Sequence, residues 1–500
     1  MPVSFNNVPA DLRVPLFYAE MDNSAANSAS ETLRALVLGH GLAAVTTGKN
    51  QLQQITNPAQ AAGLVGAGSQ LAAMVAAYRN VDSFGELWLI DVPEPSAGTA
   101  ATATITVTGT AISAGVVSLY IAGKRVQAGV SASAAATAVA SSIKAAIDAD
   151  TSLPVTATVS AGVVTLTAKW KGLTGNDINL ALNYRGVMGG ESLPNGINVA
   201  LPAQSSLSGG AGSPDLTAAI AAMGDEPFDF IATPWHDSGS LDVLEAEMND
   251  GTGRWSWLRQ IYGHLYSAKR GTLSELSTFG KARNGQHVTT IGVEPLTAAS
   301  PYEVAAASCA RNAVFIRIDP ARPTQTGELN GLLPAPTGKR FTISERQVLL
   351  TSGIATQTAS SGVMMVERAI TMYQRNKYGA ADNSYLDSET LHTSAYVIRR
   401  LRTLVTSKYG RHKLANDGTR FGEGQAIVTP AVIKGELNGE YRIMERLGIV
   451  ENSELFAKYL IVERDGDSGR VNVLFPPDYV NGLRVFALLN QFRLQYQEAA

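Results

Sequence analysis

The chain has a single cysteine, Cys309. That excludes an intrachain disulfide and a cysteine-built metal cluster. Cys309 lies in the small-residue run EVAAASCARNAV, which suits a buried apolar thiol rather than a reactive one. Charge is also scarce. Asp, Glu, Lys and Arg make up 17% of the 500 residues, against roughly 25% in an ordinary globular chain. Ala, Gly, Ser and Thr stand in their place, which suits a surface that neighbours cover and equally a secreted or Ala-rich bacterial-type protein. The net charge of -3 gives no global field for nucleic acid or membrane, so neither is expected as a partner. Long apolar runs are absent. Ala61 to Tyr78 comes nearest, and Ser69 and Gln70 interrupt it, so it reads as amphipathic helix. The opening MPVSFNNVPADLRV lacks a basic segment followed by an apolar one, so no secretory signal is expected and the protein is read as made in a cytoplasm.

Signatures of chemistry are missing too. There is no P-loop, no G-x-G-x-x-G after a strand and no H-E-x-x-H, so no cofactor is expected. His40, His236, His264, His287, His392 and His412 show no metal-ligand spacing. Three stretches imitate sites. GDSGR at Gly466 to Arg470 looks like a protease nucleophile loop, but it lies between KYLIVER and RVNVLF, where Gly, Asp and Ser are ordinary hairpin residues. PWHDS at Pro234 to Ser238 holds His, Asp and Ser, yet a triad needs them to converge in space. Asp465 and Asp467 are too closely spaced for a calcium loop. A serine hydrolase using Ser468 or Ser238 stays open as an alternative at this point. Catalytic and metal residues are otherwise expected to be none.

The two ends of the chain are what remains. Asn481 to Tyr496 reads NGLRVFALLNQFRLQY, with a turn signal at Asn481-Gly482. Phe492, Leu494 and Tyr496 then alternate with Gln491, Arg493 and Gln495, the period of a strand with one buried face. No later segment of the sequence is available to pair with it, and an uncovered edge is an aggregation hazard. Completing another subunit's sheet solves that problem. Val485, Phe486, Phe492, Leu494 and Tyr496 are the expected inter-subunit residues at this end. At the other end, Pro2, Pro9 and Pro15 deny helix and central-strand pairing, while LRVPLFYAE suits an edge strand with Val14, Leu16 and Tyr18 as contact residues. The polar run MDNSAANSAS follows as a joint.

Between the ends, residues 31–95 read strand, helix, strand (LRALVLG, SQLAAMVAAYRN, ELWLIDV). Residues 96–205 read as an inserted, outer α+β domain of two strands, a helix and a further hairpin, VTATVSAGVVTLTAK. Strand–helix alternation resumes over 206–340, with Ser213 expected to cap a helix at Pro214. A largely parallel sheet covered on both faces is expected. Residues 341–480 form a third α+β region around Asp387 to Tyr409. Its apolar stripe is expected at Leu391, Ala395, Ile398, Leu401 and Val405, with Arg399, Arg400, Arg402 and Lys408 largely off it. Those four cations read either as a solvated helix end or as a contact for an acidic partner. Residues 1–30 and 481–500 are the arms.

Several stretches taken together carry a resemblance: VSFNNVPADLRVPLFYAEMDNSAA, IGVEPLTAASPYEVAAASCARNA, LLTSGIAT, VERAITMYQRN and SYLDSETLHTSAYVIRRLRTLVTSKYGRHKLA. The chain resembles the contractile-tail sheath proteins of myophages, in particular the phage Mu-like branch. The resemblance implies a multidomain chain with a central α/β domain that is subtilisin-like in fold only, an inserted outer domain, and an inner C-terminal domain facing a tail tube. It implies terminal arms that augment the inner-domain sheets of neighbours in a helical homo-polymer. It implies tail tube, baseplate and tail terminator as partners, the virion tail as location, and Arg399, Arg400, Arg402 and Lys408 as a tube contact. A sheath of a related injection machine, a bacteriocin or a secretion system, is the alternative within the same class.

Overall fold

The computed structural model describes residues 33–493, apart from 423 and 467. The first strands and helices are β1 (Ala35–Gly39), β2 (Leu52–Ile55), α1 (Pro58–Val65), α2 (Gln70–Arg79) and β3 (Leu87–Asp91). The inserted region holds β4 (Ala100–Gly109), β5 (Gly115–Ile121), β6 (Lys124–Val130), α3 (Ala136–Ala149), β7 (Val155–Ser160), β8 (Val163–Lys171), β9 (Leu180–Leu182) and β10 (Ile197–Ala200). Then come α4 (Thr217–Met223), β11 (Phe230–Ala232), α5 (Ser238–Met248), β12 (His264–Arg270), α6 (Leu273–Lys281), β13 (Val288–Val293) and α7 (Pro301–Ile318). They are followed by β14 (Glu328–Leu329), α8 (Ile343–Thr351), β15 (Thr356–Ser360) and β16 (Val363–Arg368). The last part contains α9 (Ser388–Tyr409), β17 (Lys413–Leu414), β18 (Ile427–Val428), α10 (Pro430–Arg446), α11 (Ser453–Tyr459), β19 (Ile461–Asp465) and β20 (Arg470–Leu474).

The central sheet runs in the order β13-β12-β11-β1-β3-β2. Every pair is parallel except β2 with β3. Both faces are covered. Ala35 and Val37 join the core under α1, α2 and α7, while Leu36 and Leu38 join the core under α4, α5, α6 and α8. This follows from the period of two: successive side chains of one strand enter opposite layers, so a strand buried on both faces is apolar throughout. Thr272 and Glu275 form a capping box at α6, and Ser69 accepts from Ala72 N at α2.

Three expectations need correction here. Ser213 does not cap a helix: α4 starts at Thr217, and the Ser213 hydroxyl donates to Asp237 Oδ2 at 3.0 Å. The inserted region is richer in strands than its pattern suggests. It folds as two sheets, β10-β4-β8-β7 and β6-β5-β9, with α3 packed on β4, β6, β7 and β8. Strand β6 escapes pattern reading because Lys124, Arg125 and Gln127 break its apolar run, and β9 and β10 are only 3 and 4 residues long. Its core is continuous with that of the central sheet. Thirdly, α8, β15 and β16 pack on the central body, since Leu349 and Ile354 lie in the same cluster as Leu36. A division at residue 341 falls inside this packed region.

The C-terminal core gathers Val397, Ile433, Leu437, Tyr441, Met444, Val450 and Phe456. Tyr441 and Phe456 stack with ring centroids 3.7 Å apart. Helix α9 is shared between two bodies. Ser388, Leu391, His392, Thr393, Ala395 and Val397 are buried, whereas Ile398 and Val405 are about 40% exposed. The expected stripe therefore fails at Ile398 and Val405, because the helix leaves one core and enters another part-way along.

Candidate functional site

The chain past β20 is the first candidate. Residues 480–493 form no ladder with any described part of the chain. The stretch is pinned at its base. Gln325 Nε2 donates to Leu483 O at 3.1 Å, and Arg484 reaches Asp387 at 3.4 Å and Glu389 at 3.2 Å. Beyond that anchor Val485 (77% exposed), Phe486 (79%), Leu488, Leu489 (90%) and Phe492 (77%) stand open. Scattered exposed apolar residues are normal, but a contiguous run of this kind marks an interaction surface. Leu494 and Tyr496, and Val14, Leu16 and Tyr18 with the joint Asn23 to Ser30, lie outside the described residues.

A second feature reads in the sequence as an ordinary hairpin. β19 and β20 form a two-stranded antiparallel hairpin, with no third strand among the described residues. Val462 and Val471 pack on the C-terminal core beside Phe475. Ile461, Val473 and Leu474 remain 45%, 43% and 58% exposed. The signal for it is the apolar alternation of KYLIVER and RVNVLF on either side of the turn. A lone hairpin is marginal in water, and its two edges are templates for further strands.

The four cations of α9 do not form one surface. Arg399 turns inward, 2.6 Å from Asp229, with its guanidinium over Tyr262 and a bond to Ile261 O at 3.3 Å. Arg400 pairs with Glu440 of α10 and donates to Tyr396 Oη at 3.1 Å. Lys408 lies 2.7 Å from Glu436 and is half-exposed, and Arg402 is exposed. Arg399 thus holds α9 to the central body instead of presenting a cation to solvent. Nearby, His392 stacks on Phe230, and its Nε2 is 3.1 Å from the Tyr266 hydroxyl. Burial, with Arg399 adding to it, pushes the His392 pKa down to about 3.

The imitations of active sites resolve into structural roles. The Ser468 hydroxyl donates to Asp465 O at 2.8 Å within the β19–β20 turn. Asp237 caps α5 by accepting from Ser240 N, and Ser238 is the first residue of that helix. His236 faces Asp177 Oδ2 at 3.0 Å and Lys269 Nζ at 3.3 Å. In open α/β sheets ligands bind at the carboxyl edge of the strands. Here the inserted region fills that edge. Half-buried Arg270, at the end of β12, donates to the carbonyls of Asp177, Thr297 and Ala299 and ties the inserted region to the central one. Among the described residues no cluster of His, Cys, Asp and Glu is arranged to hold a metal ion, and no helix is long and apolar enough to cross a membrane.

Comparison with known families matches three segments in order: a phage tail sheath protein beta-sandwich domain at residues 96–198, the phage tail sheath protein central domain at 209–372, and the phage tail sheath C-terminal domain at 380–493. The chain is also 41% identical over 498 residues to the Mu-like prophage FluMu tail sheath protein of Haemophilus influenzae, covering 99% of this chain and 100% of that one. The chain belongs to the phage tail sheath protein family. Like these relatives, it is a structural protein and not an enzyme. Solved structures with a similar fold include the sheath tail protein of Desulfitobacterium hafniense (12% identity, TM-score 0.49, 94% of this chain and 97% of that one). Another is the helical sheath of the anti-feeding prophage in its contracted state (10% identity, TM-score 0.46, 97% and 100%). In the sheath protein described here, the β-sandwich match coincides with the strand-rich insertion, and the central match runs through β16.

Proposed function

We propose that this sheath protein polymerises helically around a tail tube and contracts from a metastable extended state, driving the tube through a host envelope. Subunits are linked by strands exchanged between copies, with the β19–β20 hairpin as acceptor and the two chain ends as donors. One observation carries the reading: among the described residues the chain holds both an apolar terminal segment with no ladder of its own and a two-stranded hairpin with no third strand on either edge. Burying six large apolar side chains (Leu483, Val485, Phe486, Leu488, Leu489, Phe492) is worth on the order of 10 kcal/mol per arm before ordering costs. Main-chain pairing depends little on side chains, so such links survive rotation of the bodies they join. No nucleotide is required, because the free energy is stored in the lateral contacts at assembly.

The exposed end of α9, with Arg402 and Lys408, is the tube-facing surface on this reading, while Arg399 and Arg400 support it from within. Baseplate and tail terminator cap the polymer, which is assembled in the host cytoplasm and carried in the virion tail. Negative-stain images of the purified full-length chain test the proposal. Rings and cylinders are expected, and a monodisperse monomer under all assembly conditions would contradict it.

A further inference from the structure

The seam between the central body and α9 is not closed along its whole length. A groove of about 390 Å³ opens on it. Its walls are Arg34 just before β1, Asp225 and Asp229 before β11, Gln260 before β12, and Arg399 and Arg402 of α9. Most of its charges are matched within the chain. Arg34 lies 3.0 Å from Glu86 and 2.9 Å from Glu226, Asp225 lies 2.9 Å from Arg259, and Arg399 holds Asp229. Arg402 is exposed and makes no ion pair among the described residues. One cation of the groove therefore lacks a counter-charge among them.

The described chain begins at this groove. Leu33 O accepts from Arg317 Nε at 2.9 Å, and Arg34 O accepts from Asp229 N at 2.9 Å. These bonds fix the point from which the preceding residues set out, on the groove wall beside Asp229. Glu31 is three residues before Arg34, so the two Cα atoms lie within about 11 Å of each other. Arg402 follows Arg399 by three residues, about 5 Å along α9. Since Arg399 grips Asp229 and Asp229 holds Arg34, a Glu31 side chain can reach the Arg402 guanidinium.

The sequence before Leu33 suits the groove. From Val14 to Leu33 the acidic residues are Glu20, Asp22 and Glu31, and there is no Lys or Arg. Every residue from Asn23 to Ser30 is Asn, Ser or Ala, short enough to lie close along a wall. Asn and Ser also bring donors and acceptors to a wall that is largely polar. The segment is tethered at the groove, so in the unassembled protein its effective concentration there far exceeds that of the same segment of another copy.

We propose that the groove seats residues 22–32 of the same copy, with Glu31 on Arg402, so that the N-terminal arm leaves across the seam between the central body and α9. The stretch expected from sequence as a joint is then a strap over the Arg399–Asp229 pair. It sets the direction in which residues 1–21 depart before any contact with another copy. The inference holds whether or not strands are exchanged between copies.

Hydrogen exchange on the unassembled full-length chain tests it without requiring that cylinders form. The amides of residues 24–32 are expected to exchange at least about tenfold more slowly than in a free chain, equally at low and high protein concentration. Arg402→Glu is expected to remove that protection, Glu31→Arg to do the same, and the two together to restore it, as a direct pair requires. Arg402 is exposed, so the fold survives its reversal. Free-chain exchange of residues 24–32 in the parent overturns the proposal. Protection that grows with protein concentration overturns it too, by assigning the groove to another copy's segment. Protection that persists in both single variants, or stays lost in the double variant, overturns the pairing of Glu31 with Arg402.

Discussion

Arg399 and Asp229 stand 2.6 Å apart across the junction of α9 with the amino end of β11, both largely buried. The pair joins the C-terminal body to the central sheet at a point where α9 is passing from one core to the other. Removing one partner leaves the other charge buried. Arg399→Met is expected to destabilise the folded chain by roughly 3–5 kcal/mol, read as a shift of the denaturation midpoint of the unassembled protein. A midpoint unchanged within error would show that the junction does not depend on this pair.

Acid is expected to weaken the fold, at this junction through His392 and at the far end of the sheet through His40. His392 is held down to about 3 by burial with Arg399 beside it, and His40 down to about 4, mainly by burial. In the unfolded chain each takes up a proton near its ordinary value of about 6.5. The unfolded state therefore binds more protons as pH falls, and stability falls with it. The contribution is complete above about 6.5 and is lost on the way down, at about 1.4 kcal/mol per pH unit per histidine. His392→Phe keeps the stack on Phe230 and removes one titrating group. It should lower stability at neutral pH, because the Tyr266 hydroxyl loses its hydrogen-bond partner at His392 Nε2, and flatten the curve between about pH 6 and 4 by about one proton. An unchanged slope would contradict this assignment.

Charge reversal separates the cations of α9. Arg402→Glu is expected to leave stability within about 0.5 kcal/mol of the parent, and Lys408→Glu, which faces Glu436, to lower it by no more than about 1 kcal/mol, while both reduce tube-directed assembly in a co-assembly assay. Arg400→Glu faces Glu440 and should instead lower the midpoint. If the two exposed reversals leave assembly on the tube unchanged, the tube-contact reading is wrong.

Much of the central body is legible from sequence because its signals are local. Ala35 to Gly39 and Val288 to Val293 are apolar throughout, as strands buried on both faces must be. Thr272 with Glu275, and Ser300 with Glu303 and Pro301, announce helix starts. What escapes is set by distant partners. Arg399 looks like a surface cation until Asp229, far away in sequence, is folded against it. Ile398 and Val405 fit one straight stripe, but α9 serves two bodies that cover different sides. Ser213 carries a capping signature and is drawn off by Asp237. The acceptor role proposed for β19 and β20 is hidden because an edge without a partner is defined by a missing neighbour, which no local pattern records.

The central claim is that copies are joined through their chain ends, and truncation tests it most directly. A chain lacking residues 482–500 should be compared with the full-length protein by electron microscopy and sedimentation at equal concentration. The full-length chain is expected to form cylinders, and the truncated chain to stay folded and monomeric at the same concentration. Cylinders of the usual diameter from the truncated chain would contradict the account.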